Sequence, residues 1–169
     1  MRHLVLMFSL AILLHACEEK KEMSSISSEN WAHRTIDVKP SATQESGRSY
    51  LSVYSQIYSQ TEHRTHDLTA TISMRNTSLE DTVFVLSAKY YGTKGNAIRS
   101  YFDKPIYLRP LETVEIVIDE LDKEGGTGAN FIFDWVIAQN ASEPLFEGVM
   151  ISTSGQQGLS FSTQGKRIK

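Results

Sequence analysis

Apolar and polar residues alternate with a period of two through much of the chain beyond Tyr50. That spacing sends one face of a β-strand into a core and the other into water. Leu68, Ala70, Ile72 and Met74 alternate with Thr69, Thr71, Ser73 and Arg75, and Phe84, Leu86, Ala88 and Tyr90 alternate likewise with Val83, Val85, Ser87 and Lys89. The first set of each pair is expected to face inward. Residues 92–96, with Gly92 and Gly95, predict a turn into residues 97–101, a hairpin signal. Residues 106–108 lie between Pro105 and Pro110, which predicts an edge strand, and residues 113–118 are rich in β-branched side chains. Phe131, Phe133, Trp135 and Ile137 alternate with Asn130, Ile132, Asp134 and Val136, and a further run carries Leu145, Glu147, Val149 and Ile151. Residues 155–158 then turn the chain into 159–163. The segment 61–67 reads as the loop before the Leu68 strand.

No stretch of ten or more residues beyond Tyr50 keeps a helical period without meeting a turn signal. About seven short strands at hairpin spacing predict an all-β domain, an antiparallel β-sandwich of immunoglobulin-like type without that fold's disulfide. A small β-barrel is the alternative. There is no internal repeat.

The first residues differ in kind. After Arg2 comes an apolar run from Leu4 to Leu14, the length of a signal-peptide core and too short for a permanent span. Leu14-His15-Ala16-Cys17 resembles the cleavage box of bacterial lipoproteins. That resemblance implies a signal peptide over residues 1–16, diacylglycerol on the thiol of Cys17, and an extracytoplasmic protein held by lipid at the cell envelope. An outer-membrane site facing the periplasm or the surface is expected. Two or three acyl chains anchor a protein essentially permanently, whereas one does so only marginally.

Cys17 is the one cysteine of the sequence, so lipidation leaves no intramolecular disulfide and stability must come from a core. Residues 17–49 read as the lipidated cysteine and a polar, aperiodic tether, with Trp31 to Val38 as a candidate docked segment within it. Residues 50–169 read as one domain. The net charge of −3 becomes about −4 without Arg2, which does not suggest a clustered basic surface for nucleic acid.

Several stretches together resemble a bacterial lipoprotein family, the domain of unknown function 3124. They are residues 53–58, Ile72-Ser73-Met74-Arg75-Asn76-Thr77, Tyr90-Tyr91 with Gly95, residues 125–131 and residues 153–158. The resemblance spans roughly residues 50–168, supports the domain boundary and implies no catalytic residue. Residues 76–118 are also similar to a broader class of envelope β-sandwich modules.

Among candidate chemistries, the acidic segment after Ile118 is the densest. Glu120, Asp122 and Glu124, followed by Gly125, match positions one, three, five and six of a calcium loop, but position twelve is Phe131 where a bidentate Glu belongs. Asp119 and Asp134 are the further oxygen donors that an irregular calcium cage would need. The plainer reading is a solvated acidic turn before a bend in which Gly125, Gly126 and Gly128 supply positive φ. A phosphate cradle fits poorly, because Gly126-Thr127-Gly128 lacks the third glycine of the dinucleotide fingerprint and carboxylates adjoin it.

Glu62, His63, His66 and Asp67 form the only histidine cluster of the domain, and its two histidines fall short of an ordinary zinc ligand set. Ser154 lies in no Gly-x-Ser-x-Gly elbow. Trp135 reads as core in preference to a sugar platform, and Asp81-Thr82-Val83 resembles an O-glycosylation acceptor that would put Thr82 on an exposed bend. No catalytic residue and no cofactor are expected. The sequence suggests a lipid-anchored, non-catalytic module that meets an envelope protein through loops at one end, with Gly126, Thr127, Gly128, Asn130, Ser154, Gln156 and Gln157 as partner-facing positions. A ligand-binding module, carbohydrate-directed or calcium-assisted, is the second reading, and an enzyme of unknown type the third.

Overall fold

The computed structural model describes residues 31–38, 41–153 and 158–168. Its strands are β1 (Gln44–Val53), β2 (Gln56–Ser59), β3 (Thr61–Asp67), β4 (Thr69–Arg75), β5 (Val83–Tyr91), β6 (Ala97–Ser100), β7 (Ile106–Leu108), β8 (Thr113–Ile118), β9 (Ala129–Ala138), β10 (Leu145–Ser152), β11 (Leu159–Gln164) and β12 (Lys166–Arg167). One sheet has the order β12-β1-β9-β5-β6 with β7 also on β5, and the other β11-β10-β4-β8. Every pairing is antiparallel. The two sheets are not closed into a barrel and form the expected β-sandwich.

The alternations at Leu68–Met74 and Phe131–Ile137 hold, since every one of those inward positions is buried. The sheets meet through aromatic rings. Phe133 of β9 stacks on Phe146 of β10 with centroids 4.1 Å apart, and Phe131 continues the stack to Phe133 at 5.4 Å and to Tyr90 at 4.9 Å. Such offset contacts add to the apolar area that each ring buries.

Trp135 is fully buried, as core. Its Nε1 donates to Ser49 Oγ at 2.9 Å, which satisfies the one polar atom of the ring. A Cβ on Gly47 would lie 2.2 Å from a carbon of the same ring. The indole therefore occupies the space that a side chain at position 47 would need.

That contact explains why β1 is not legible as a strand. Its inward positions are Gly47, Ser49, Leu51 and Val53, and the first two are small because Trp135 fills their space, so the apolar alternation is lost. The tether expected up to residue 49 ends earlier, and the domain begins at Gln44. Within the expected tether, residues 31–36 are docked. Trp31 is buried with its ring centroid 5.3 Å from that of Phe102, Thr35 bridges to Ile106, and Arg34 donates to Glu112 at 3.1 Å. An aromatic ring on an apolar neighbour and a paired guanidinium supply what an aperiodic sequence conceals.

On β5 the expected inward set is half wrong. Val83, Val85, Ala88 and Tyr90 are buried, while Phe84 and Leu86 are half-buried on the outer face. Val85 pairs with Trp135 and Ser87 with Asp134, which leaves Leu86 as an extra residue. A β-bulge of this kind shifts the parity of the strand, so the inward set changes partway along. Thr82 is half-buried just before β5, not on an exposed bend.

Trp135→Ala is expected to destabilise the domain by about 3–5 kcal/mol, the usual cost of truncating a buried large aromatic. Denaturant unfolding followed by circular dichroism measures it, and a change below about 1 kcal/mol would show the ring not to be a core element.

Candidate functional site

The strand registers gather three segments at one end of the sandwich. Val53 pairs with Ala129, Tyr91 with Asn130, and Ala70 with Ile118, so residues 54–68, 92–96 and 119–128 lie together. Gly126, Thr127, Gly128 and Asn130 are at this end. Ser154, Gln156 and Gln157 lie outside the described residues.

The most prominent feature here is a hairpin, β2–β3, which forms its own two-stranded sheet. Sequence reading takes residues 61–67 for a loop, because β3 holds no apolar residue and the ribbon meets the core through Ile57 of β2. Residues 61–65 are exposed, as is Tyr58 at 60%. The turn between the strands puts Gln60 at φ 65°. The ladder is irregular between Tyr58 and Ser59, where Thr61 and Thr65 are the successive partners on β3, and His63 and His66 belong to no group of three or more metal-ligating side chains among the described residues.

The base of the hairpin is fixed by polar contacts. Lys123 Nζ lies 2.6 Å from Asp67 Oδ2, Gln56 Nε2 donates to Asp67 Oδ1 at 2.7 Å, and Leu68 N donates to Ser55 O at 2.9 Å. Lys123 first and Gln56 second hold the Asp67 carboxyl below its ordinary range. Ser55 Oγ donates to Gly126 O at 3.4 Å and ties the hairpin to the glycine bend.

The acidic segment is organised around Arg99. Arg99 Nη1 donates to Asp122 Oδ2 at 2.7 Å and Nη2 to Glu124 Oε2 at 3.1 Å, while the Asp122 side chain is fully buried. Asp122 Oδ1 and Asp119 Oδ1 accept the backbone N–H groups of Glu124 and Leu121. Burial alone would lower the Arg99 pKa, but the Asp122 hydrogen bond and nearby charge raise it above the ordinary value. The four calcium candidates do not converge. Glu120 is a half-buried residue of the turn, Asp122 and Glu124 share Arg99, and Asp134 sits in the middle of β9, where it accepts from Arg48 and Ser87. Among the described residues no group of three or more His, Cys, Asp or Glu is placed to hold a metal ion. Asp122 is also not the solvated turn residue that the alternative reading supposes.

The three glycines serve different ends. Gly126 alone of them has positive φ, at 71°. Gly125 has φ −66°, and a Cβ there would lie 1.9 Å from the Tyr90 hydroxyl. At the third, Thr93 Oγ1 accepts from Gly128 N and donates to Gly125 O, both at 2.9 Å, so a side chain occupies the bend from within. The hydroxyls of Tyr90 and Tyr101 are buried beneath it without a hydrogen bond of ordinary geometry. Burial pushes the Tyr101 hydroxyl up to about 12 and Tyr90 higher still. Both rings lie near the Arg99 guanidinium, at 5.8 and 6.0 Å. Sequence reading missed Arg99, Thr93 and the tyrosines. The density of acids signalled that a cation was needed, but not that a strand more than twenty residues upstream supplied it.

Asp122→Asn is expected to cost about 3 kcal/mol, since it leaves Arg99 beside a neutral buried partner. Glu124→Gln, at the exposed second partner of Arg99, should stay within about 0.5 kcal/mol; equal effects in chemical denaturation would contradict the distinction. Gly125→Ala should destabilise the loop end through collision with Tyr90. Tyr90→Phe removes the colliding oxygen and should recover much of that loss in the double variant, a coupling that a double-mutant cycle reads directly.

A family model described as protein of unknown function (DUF3124) matches residues 46–168. No curated protein matches the chain. Among solved structures, one titled crystal structure of Thermotoga maritima 1070 aligns with a TM-score of 0.45 and 8% identity, over 71% of this chain and 92% of that one. A likeness of that size carries no argument about function. The family match covers most of the chain, beginning within β1 and ending just beyond β12: the chain belongs to the DUF3124 family of proteins of unknown function.

Proposed function

We propose that this protein is a non-catalytic module of the cell envelope, anchored by lipid on Cys17, which binds a protein partner through its hairpin end. One observation carries the reading: an exposed ribbon stands on a base fixed by Lys123, Asp67 and Gln56, on the end of the domain away from its N-terminal attachment. The described chain starts at Trp31, and Arg34 pairs with Glu112, next to the end of β8 where Thr113 faces Arg75. The hairpin leaves from the opposite end, beside Ala70 and Ile118. Attachment at one end and an exposed ribbon at the other suit a module that presents a binding surface outward from a membrane.

The ribbon's composition suits a protein surface. Tyr58 and Arg64 are of types enriched at interfaces, and Thr61, Glu62, His63 and Thr65 surround them with hydrogen-bonding groups. The rigid base lowers the ordering cost that a free loop would meet on binding.

A photocrosslinking residue placed at Tyr58 in the full chain, with a second placed at exposed Leu111 on the other end, tests this in intact envelopes. A discrete protein adduct from position 58 and none from 111 is expected. Equal labelling from both ends, or none from 58, would refute the hairpin end as the interface. In parallel, Cys17→Ser should move the protein from the membrane to the soluble fraction, because the acyl chains supply nearly all of the membrane affinity. Retention after a salt wash would refute the lipid anchor.

A further inference from the structure

The outer face of the six-stranded sheet carries an arrangement that the hairpin reading does not use. Antiparallel register sets its side chains in rows. Lys166, Tyr50, Ile132 and Lys89 form one row across β12, β1, β9 and β5, and Arg48, Asp134 and Ser87 form the next. Tyr91 lies opposite Asn130 on the far side of the first row. Three cations and one carboxylate in these rows make this face positive on a chain whose net charge is −3.

The face is also hollowed. A cleft of about 440 Å³ is lined by Ser46, Arg48, Leu86, Ser87, Lys89 and Asp134 among others. A second hollow of about 300 Å³ shares Ser46 and Leu86 with it and adds Val136. Leu86, the bulged residue of β5, is common to both.

We propose that this cleft binds an acidic saccharide, whose carboxylate or sulfate is met by Lys89 and Arg48 and whose hydroxyls are met by Asp134, Ser87 and Ser46. The geometry suits each part. Arg48 Nε donates to Asp134 Oδ1 at 2.6 Å, and its Nη groups make no hydrogen bond among the described residues. Lys89 is exposed and makes no ion pair among the described residues. Asp134 Oδ2 accepts from Ser87 Oγ at 2.8 Å. Burial would raise the Asp134 pKa, but the hydrogen bonds from Arg48 and Ser87 outweigh it and hold the carboxyl below its usual range. Asp134 is thus a fixed anion that aims Arg48, and its remaining lone pairs can accept from sugar hydroxyls.

Leu86 and Val136 offer the apolar contact that the C–H side of a sugar ring requires, and Tyr50 and Tyr91 stand on the same face. The volume exceeds that of an inorganic ion and falls within the range of small-ligand sites. One carboxylate bonded at the centre disfavours a polyphosphate backbone and suits a ligand that carries both acid and hydroxyl groups.

Full-length lipidated protein in detergent micelles is applied to an array of uronate-containing and sulfated oligosaccharides with neutral oligosaccharides of matched length, and hits are titrated by calorimetry. Binding to acidic members with affinity about ten-fold or more above neutral ones is expected, the scale of one charge-assisted hydrogen bond. Lys89→Glu should abolish it. Lys89→Gln, a milder change in case the first does not fold, should weaken it by about ten-fold, whereas Lys104→Glu, the same charge change on an exposed loop, should leave it intact.

Absence of any acidic hit, equal binding of neutral oligosaccharides, or equal loss in Lys104→Glu would overturn the proposal. So would binding of the unlipidated Cys17→Ser chain to anionic phospholipid vesicles without binding to any oligosaccharide, which would identify the face as a lipid-surface contact. None of these outcomes depends on what crosslinks to Tyr58.

Discussion

The fit of the Trp135 ring against Gly47 is the contact on which the rest of this sandwich depends. Position 47 holds no side chain because the indole stands there, and Ser49, the next inward residue of β1, supplies the acceptor for Nε1. The two residues join the first long strand to the central strand of its sheet by shape and by a hydrogen bond at once. Arg167 of β12 then lies over the same ring, 5.2 Å from its centroid, and pairs with Glu45 at 2.9 Å. The beginning and the end of the domain are thereby both registered on one side chain of β9. From that strand the aromatic stack runs through Phe133 to Phe146 and couples the second sheet to the first.

A domain held so firmly along its middle can leave its ends to other uses. The hairpin rests Ile57 against the core, and its base is fixed by Asp67, Lys123 and Ser55. Beneath it, the Arg99 guanidinium draws together the Asp122 and Glu124 carboxylates as a bound cation does in a true calcium loop, and Asp122 in turn accepts the Glu124 N–H. Such a pair requires no metal, but the guanidinium must come from a distant strand, which couples the loop end to β6. The turn is consequently part of the folded body, and a surface built on it inherits the body's rigidity.

Much of the architecture was legible because burial on one face of a sheet leaves a period of two. Leu68–Met74 and Phe131–Ile137 show it, with every inward position buried. Legibility failed wherever an inward position was not apolar for its own sake. Gly47 and Ser49 are small to accommodate Trp135, so β1 reads as polar. β3 carries no apolar side chain, the hairpin's contact with the core being made by Ile57 of β2, so β3 reads as a loop. At Leu86 the period is intact in the sequence, but the bulge that reverses it comes from pairing with β9, and nothing local announces it. The acidic turn is the same kind of failure in electrostatic form. Its charges were visible, whereas their partner Arg99 is brought to them only by the fold.

The bulge has a consequence beyond parity. In a regular strand the inward sequence Val83, Val85, Ser87, Lys89 would bury a lysine, and Ala88 and Tyr90 would face water. One extra residue between Val85 and Ser87 reverses this, so that Tyr90 joins Phe131 in the core and Lys89 emerges on the outer face opposite Ile132. The same insertion puts Leu86 outside, between two hollows, and sets Ser87 against Asp134. Core packing at one end of β5 and a cationic, hydroxyl-lined cleft at its middle thus arise from a single irregularity. Bulges are concentrated where a strand must re-aim a side chain. Here the side chains re-aimed outward are Ser87 and Lys89, and regularising the strand to keep them inside would cost both the tyrosine stack and the solvation of a charge.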